Sequence, residues 1–145
     1  ATRGNRDHVP DFFVRLANGD GRLIDVRSLK GAEKYTEQSA LTRKICDEIG
    51  WEYEVFTGLS PELAQNLRWL AGYRQDRNAP PTEIAESITR CFAEPVALEV
   101  GLGEASRRTG RSVEHTTANV LHLIWRRHLS ADLSRPLSMS SEVWA

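Results

Sequence analysis

The feature that most constrains the fold is a dense turn sequence between two β-type segments near residue 20. Residues 9–17 are rich in Val and Phe and alternate loosely, and residues 22–26 resume a β-type pattern. Between them, Asn18-Gly19-Asp20-Gly21 supplies residues that readily adopt the positive φ angles of tight hairpin turns. The pattern therefore predicts a β-hairpin in this region.

A helix and a further strand are predicted after the hairpin. Leu41, Ile45 and Ile49 recur every four residues, which predicts one amphipathic helix over residues 32–49. Residues 51–56 then alternate between apolar and acidic side chains, as in a half-exposed strand. Together these elements give the order β-β-α-β and a mixed α/β (α+β) fold.

The best candidate linker is the segment 76–81, which holds Asp, Asn and two prolines. We therefore predict two domains, 1–75 and 82–145. The pattern beyond the linker predicts three helices followed by a two-stranded ribbon, the order of a mainly α winged helix. The predicted elements around the linker are a helix begun by Ser60-Pro61 and ending near Tyr73, helices at 84–92, 103–109 and 113–128, a short strand at 96–100, and a ribbon at 129–144.

The amino-acid composition limits which partners and which cellular location we expect for this protein. The 145 residues carry 19 Lys plus Arg and 20 Asp plus Glu, a balance that at first counts against a nucleic-acid partner. However, residues 106–128 hold five arginines and a single acid, so positive charge is concentrated there. No apolar run has the length of a membrane helix, and no signal or lipidation motif occurs, so we expect a cytoplasmic protein with no membrane partner. Cys46 and Cys91 lack CxxC spacing and lie in apolar helical patterns, so both are predicted to be buried, free core thiols in a reducing compartment.

Two acidic residues lie on the predicted hairpin strands. Strand alternation places Asp25 and Arg27 on one face, and Asp11 lies on the partner segment. Carboxylates that converge in this way bind a hard divalent cation, and a neighbouring Arg polarises a phosphate. The alternative is that Asp25 is an ordinary solvated carboxylate paired with Arg27 or Arg22.

Two segments carry a resemblance to a known family. His8-Val9-Pro10-Asp11-Phe12-Phe13 with Ile24-Asp25-Val26-Arg27 resembles the PD-(D/E)xK nuclease motif of TnsA-like subunits of heteromeric transposases, and segments 50–53, 66–74 and 121–126 are similar to the same family. The resemblance implies a restriction-endonuclease-like core followed by a winged-helix domain. It also implies Mg²⁺- or Mn²⁺-dependent cutting of double-stranded DNA at transposon 5′ ends, beside an integrase-type transposase subunit that cuts the 3′ ends.

The resemblance also assigns roles to individual residues. Asp11 and Asp25 take the metal-binding positions, the carbonyl of Val26 is a backbone ligand, and Arg27 takes the place of the catalytic Lys. Arg keeps its proton and cannot act as a base. The family's upstream strand and Glu-bearing helix have no room before His8, so we expect the sequence to be N-terminally truncated. A degenerate nuclease that binds DNA or docks on the transposase without cutting is therefore the second hypothesis.

The basic stretch predicts a DNA-contacting surface. On the predicted helix 113–128, one polar face is formed by residues at i, i+4, i+7 and i+11, namely His115, Asn119, His122 and Arg126. The preceding segment adds Arg107, Arg108 and Arg111. These side chains suit base edges and phosphates, as on the second helix of a helix-turn-helix. An equally weighted alternative is a solvated helix face.

Overall fold

The computed structural model describes residues 8–145, which combine helices with two small sheets. The chain divides into two compact units between Gly58 and Leu59, here called the N-terminal unit and the C-terminal unit. Within residues 8–145, no helix combines the length and the apolar character needed to cross a membrane.

The N-terminal unit has the predicted order of hairpin, helix and strand. Its elements are β1 (Phe12–Arg15), β2 (Gly21–Val26), α1 (Leu29–Lys34), α2 (Thr36–Glu48) and β3 (Glu52–Phe56). The predicted hairpin is confirmed, since β1 pairs antiparallel with β2 and Gly19 in the turn has φ +93°. The strand β3 then pairs parallel with β2, which gives a sheet of order β1-β2-β3.

The single helix predicted over residues 32–49 is wrong in detail, because the structure contains two helices. The first begins earlier than predicted, where the Ser28 hydroxyl accepts a hydrogen bond of 3.1 Å from the backbone N–H of Gly31. The break falls at Tyr35, whose backbone is non-helical and whose ring lies 5.1 Å from the Arg27 guanidinium. The periodicity of the apolar residues does not indicate this break.

The sheet of the N-terminal unit has one covered face. Helix α2 lies over the face that carries Asp25 and Tyr53, with the Arg43 guanidinium 5.6 Å from the Tyr53 ring. Cys46 is the only fully buried hydrophobic residue among the described residues of this unit. On the opposite face Phe12 is 58% exposed. The unit therefore has a thin core. Cys46 and Cys91 are both free, and the predicted burial is confirmed for Cys46, whereas Cys91 is half-buried.

The C-terminal unit contains four helices, two 3₁₀ turns and a three-stranded antiparallel sheet. The elements are α3 (Pro61–Leu70), 3₁₀ turns at Ala71–Tyr73 and Asp76–Asn78, α4 (Thr82–Cys91), β4 (Val96–Ala97), α5 (Leu98–Thr109), α6 (Val113–Trp125), β5 (Ser130–Ala131) and β6 (Glu142–Trp144). The sheet order is β4-β6-β5. Three predicted helix boundaries are confirmed: Ser60 and Ser112 cap α3 and α6 through their side chains, and Gly110 ends α5 with φ +64°.

Helix α5 is longer than predicted. The sequence predicted a strand over residues 96–100 and a helix only from residue 103, whereas the helix begins at Leu98 and the strand has two residues. Leu98, Leu102 and Ala105 are all buried at the i, i+4, i+7 spacing of one helix face. The short apolar run at its start fits both a strand and a helix, and packing decides between them.

The core of the C-terminal unit forms around α6. Val120, Leu121, Leu123 and Ile124 of this helix are buried together with residues from the other elements, namely Leu70, Ile88, Phe92, Leu98, Leu102, Ala105, Leu129 and Val143. The ring of Phe92 packs so closely on Gly101 that a Cβ there would lie 2.2 Å from it. A glycine is therefore required at this helix position.

The unit boundary lies upstream of the predicted linker because α3 packs into the C-terminal unit. Leu70 is part of its core, and the buried Asn66 side chain holds the segment that follows β5. Asn66 Nδ2 donates to the carbonyls of Leu133 at 3.0 Å and Arg135 at 2.7 Å, while the N–H of Leu137 donates to Asn66 Oδ1 at 2.9 Å. The predicted linker 76–81 consequently lies within this unit, although four of its six residues are exposed.

Asn66→Ala should destabilise the C-terminal unit by roughly 2–4 kcal/mol, because the three hydrogen bonds of this buried side chain to backbone groups are lost at roughly 1 kcal/mol each. Urea unfolding followed by circular dichroism measures the change. Gln65→Ala is the matched control, since Gln65 is an exposed neighbour on the same helix. Equal stabilities of the two variants would show that Asn66 does not hold residues 133–137.

Candidate functional site

Asp25 on β2 is almost completely buried, with 1% of its surface exposed. The Tyr53 hydroxyl donates a hydrogen bond of 2.6 Å to Asp25 Oδ2. His8 Nε2 lies 2.8 Å from the same oxygen, and Arg27 Nη2 lies 3.6 Å from it. The interpretation of Asp25 as a solvated carboxylate is therefore wrong, although its pairing with Arg27 is correct.

Arg22, the other suggested partner of Asp25, belongs to the opposite face of the sheet. Its Nε donates to Glu52 Oε2 at 2.6 Å, and its Nη1 lies 3.7 Å from Glu54 Oε2. These carboxylates occupy neighbouring positions on β3, where strand alternation keeps them away from Asp25. Arg22 is thus a half-buried ion-pair residue on the face away from Asp25.

The second oxygen of Asp25 has a different environment. Oδ1 is buried and has no hydrogen-bond partner among residues 8–145. A buried acceptor without a partner costs about 1–3 kcal/mol, so proteins keep such atoms mainly where a ligand or ion uses them. Oδ1 is therefore the atom of this site that is free to bind a ligand.

Asp11 lies at the same end of β2 as Asp25. Asp11 Oδ2 accepts a hydrogen bond of 2.7 Å from the backbone N–H of Val26, the residue that follows Asp25. The Asp11 side chain is otherwise exposed, in contrast to Asp25. The hairpin thereby places the Asp11 carboxylate against the Val26 peptide group, one residue beyond Asp25.

Arg27 places a cation next to this carboxylate. Its guanidinium lies between Asp25 Oδ2 and the Tyr35 ring, which is 5.1 Å away. A cation over an aromatic ring is stabilised by about 0.5–2 kcal/mol, which helps to hold the side chain in position. The buried Nε has no hydrogen-bond partner within the described chain, so this donor is also available.

The donor set fits a hard divalent cation. Mg²⁺ is usually held by one or two carboxylates and completes its shell with water, and Mn²⁺ favours the same oxygen donors. Oxygen donors of this kind are present on Asp11, on the unpartnered Oδ1 of Asp25 and on the Val26 carbonyl. Among residues 8–145 no group of three or more His, Cys, Asp and Glu is arranged to hold a metal ion, so any ion here would depend on these two carboxylates.

Tyr53 and His8 were not predicted as site residues. Burial, and then the hydrogen bond to Asp25, raise the pKa of the Tyr53 hydroxyl, so it stays protonated and donates at neutral pH. Strand alternation placed Tyr53 on one face of its strand, but only the parallel register, with Tyr53 opposite Leu23, brings it to Asp25. No pattern within either strand indicates the contact between Tyr53 and Asp25.

The predicted basic residues near α6 are largely at the surface. Arg107 and Arg108 at the end of α5 are exposed and both pair with Glu104, while Arg111 is half-buried. His115 is exposed in the first turn of α6, and Arg126 is exposed at its end. These five residues remain candidates for contact with an anionic partner.

The predicted polar face of α6 is wrong at its two central positions. Asn119 and His122 are each only 5% exposed. Asn119 Nδ2 donates to the Asn78 carbonyl at 2.9 Å, and His122 Nδ1 donates to the Tyr73 carbonyl at 2.8 Å. Both side chains satisfy backbone groups of the segment that covers this face, so neither is available to DNA.

The sequence matches no protein-family model and no curated protein. Two groups of residues are the candidates for a functional site. One is the carboxylate site around Asp25, and the other is the set of arginines at the end of α5.

Proposed function

We propose that this chain is a metal-dependent DNA endonuclease subunit of the TnsA type, which cuts double-stranded DNA at transposon 5′ ends beside an integrase-type transposase subunit. The observation that carries the proposal is the buried Asp25 with its bare Oδ1, next to Asp11 at the end of the hairpin. The order of hairpin, helices and parallel strand agrees with a restriction-endonuclease-like core.

The residues of the site would have two separate roles, metal binding and stabilisation of negative charge. Asp11, Asp25 and the Val26 carbonyl would hold Mg²⁺ or Mn²⁺, which supplies an activated water and stabilises charge on the phosphate. Arg27 keeps its proton and is placed to stabilise the negative charge that develops on the phosphate oxygens. Because Arg27 cannot accept a proton, its contribution is purely electrostatic.

The C-terminal unit supports a role in DNA binding. Its order α4-β4-α5-α6-β5-β6, with sheet order β4-β6-β5, agrees with a winged-helix domain. Since the middle of α6 is buried, we propose that duplex DNA contacts the end of α5 and the first turn of α6. The contacting residues are Arg107, Arg108, Arg111 and His115, with Arg126 at the far end of α6 as a further phosphate contact.

Replacing Arg107 and Arg111 together with alanine should weaken duplex DNA binding and reduce the slope of log K against log salt by about 2, because each lost phosphate contact releases about one fewer counterion. Fluorescence anisotropy at several salt concentrations measures both quantities. A control with the same charge change is Arg68→Ala with Arg90→Ala, two exposed arginines of α3 and α4. Identical slopes for the two double variants would remove the cluster from the DNA interface and favour a protein-docking surface.

A non-cutting DNA-binding or transposase-docking protein is the second candidate. It is favoured by Arg27 at the Lys position and by the three groups that already contact Asp25 Oδ2. Supercoiled DNA incubated with the chain and Mg²⁺ or Mn²⁺, with and without the transposase, distinguishes the two. Nicked or linear product supports the endonuclease, whereas bound but intact DNA under all conditions supports the second candidate.

A further inference from the structure

Three groups from different parts of the N-terminal unit approach Asp25 at the same oxygen. Tyr53 on β3 donates to Oδ2 at 2.6 Å, His8 before β1 lies 2.8 Å from it, and Arg27 after β2 lies 3.6 Å from it. No described residue contacts Oδ1 as a donor. The surroundings of the carboxylate are therefore strongly asymmetric.

The presence of donors from the described residues at Oδ2 and not at Oδ1 affects the orientation of the Asp25 carboxylate. The terminal torsion of an Asp side chain is broad and roughly two-fold, so the two oxygens are not distinguished by the side chain itself. A hydrogen-bond donor held against one oxygen prevents the carboxylate from rotating between its two equivalent orientations. Of the three groups, Tyr53 makes the shortest contact and is the only one with an aligned hydrogen bond.

We propose that Tyr53 is a positioning residue of the metal site, whose hydroxyl holds Asp25 Oδ2 and leaves Oδ1 as the oxygen that would bind the cation. The inference rests on the proposed function. Tyr53 is suited to this task because its hydroxyl is neutral and leaves the full negative charge of Asp25 to the cation, whereas Arg27 offsets part of that charge.

Tyr53 is itself held firmly. It lies on β3 in parallel register with β2, where Tyr53 is opposite Leu23 and Val55 is opposite Asp25. The Arg43 guanidinium of α2 lies 5.6 Å from its ring. The Tyr53 hydroxyl also has a side-chain hydrogen bond with Ser39. The strand pairing and the ring contact do not involve the hydroxyl, so Tyr53→Phe removes the hydrogen bonds to Asp25 and Ser39 while the ring keeps its place.

Calorimetric titration of the full chain with MnCl₂ tests the inference. We expect Tyr53→Phe to raise the Mn²⁺ dissociation constant about 10- to 100-fold, the usual effect of losing a group that orients a metal ligand. Tyr73→Phe, the same loss of one hydroxyl in the C-terminal unit, should leave the dissociation constant unchanged. Thermal unfolding of each variant shows whether it is folded at the titration temperature.

The outcomes separate this inference from the proposed function. If the unaltered chain and Asp25→Asn do not differ in Mn²⁺ binding, the proposed metal site is absent and both ideas fail. If Mn²⁺ binding depends on Asp25 but Tyr53→Phe binds as the unaltered chain does, only the positioning role is overturned. A Tyr53→Phe variant with a lower unfolding temperature but an unchanged Mn²⁺ affinity also overturns it, since a purely structural role predicts that result.

Discussion

Phe92→Ala should lower the free energy of unfolding of the C-terminal unit by about 3–5 kcal/mol, the range for removing a fully buried phenylalanine side chain. Phe92 is 0% exposed, and its ring lies directly against Gly101. Because Gly101 has no side chain that could fill the space that the ring leaves, we expect the upper part of this range. Urea unfolding followed by circular dichroism measures the change.

Phe12→Ala is the matched control for this prediction. It removes the same atoms from a side chain that is 58% exposed in the N-terminal unit, so we expect a cost of less than about 1 kcal/mol. A comparable loss in both variants would contradict the assignment of the main core to the C-terminal unit.

Asp25→Asn should reduce metal-dependent cutting at least about 100-fold, the scale on which removal of one essential polar contact acts. The amide has nearly the same shape as the carboxylate but lacks the negative charge that a divalent cation needs. The half-buried Arg27 guanidinium also loses its counter-charge. The rate of nicking of supercoiled DNA in Mg²⁺ or Mn²⁺, with the transposase present, measures the loss.

Asp20→Asn is the control for this change. It removes the same charge from an exposed carboxylate in the hairpin turn, where Asp20 accepts a hydrogen bond from Asn18 and not from the site. Cutting should continue at the normal rate. If Asp25→Asn cut DNA as fast as Asp20→Asn, the endonuclease proposal would be refuted.

Most of the local structure was predictable from short segments of the sequence. The Asn18–Gly21 turn forms the expected hairpin, and the expected side-chain caps at Ser60 and Ser112 are present. These features depend on residues a few positions apart, so spacing alone indicates them. Two features are not indicated by spacing: the break at Tyr35, and the start of α5 at Leu98, where burial of Leu98 in the core favours the helix.

The candidate site was predictable only in part. The placement of Asp25 and Arg27 on one strand face follows from alternation, and the structure places them 3.6 Å apart. The contacts of Tyr53 and His8 with Asp25 join segments that are distant in the chain, and no pattern within a segment encodes them. The register between strands is a property of the folded sheet.

The sequence by itself determined the periodicity of α6, its capping residue Ser112, and the concentration of arginines around it, because each depends on neighbouring residues. Only the tertiary structure decided which faces of α6 are covered. The segment 71–78 packs on the face that carries Asn119 and His122, and its carbonyls accept their hydrogen bonds. Spacing shows that a face is polar, but whether that face meets solvent depends on which other part of the chain lies against it.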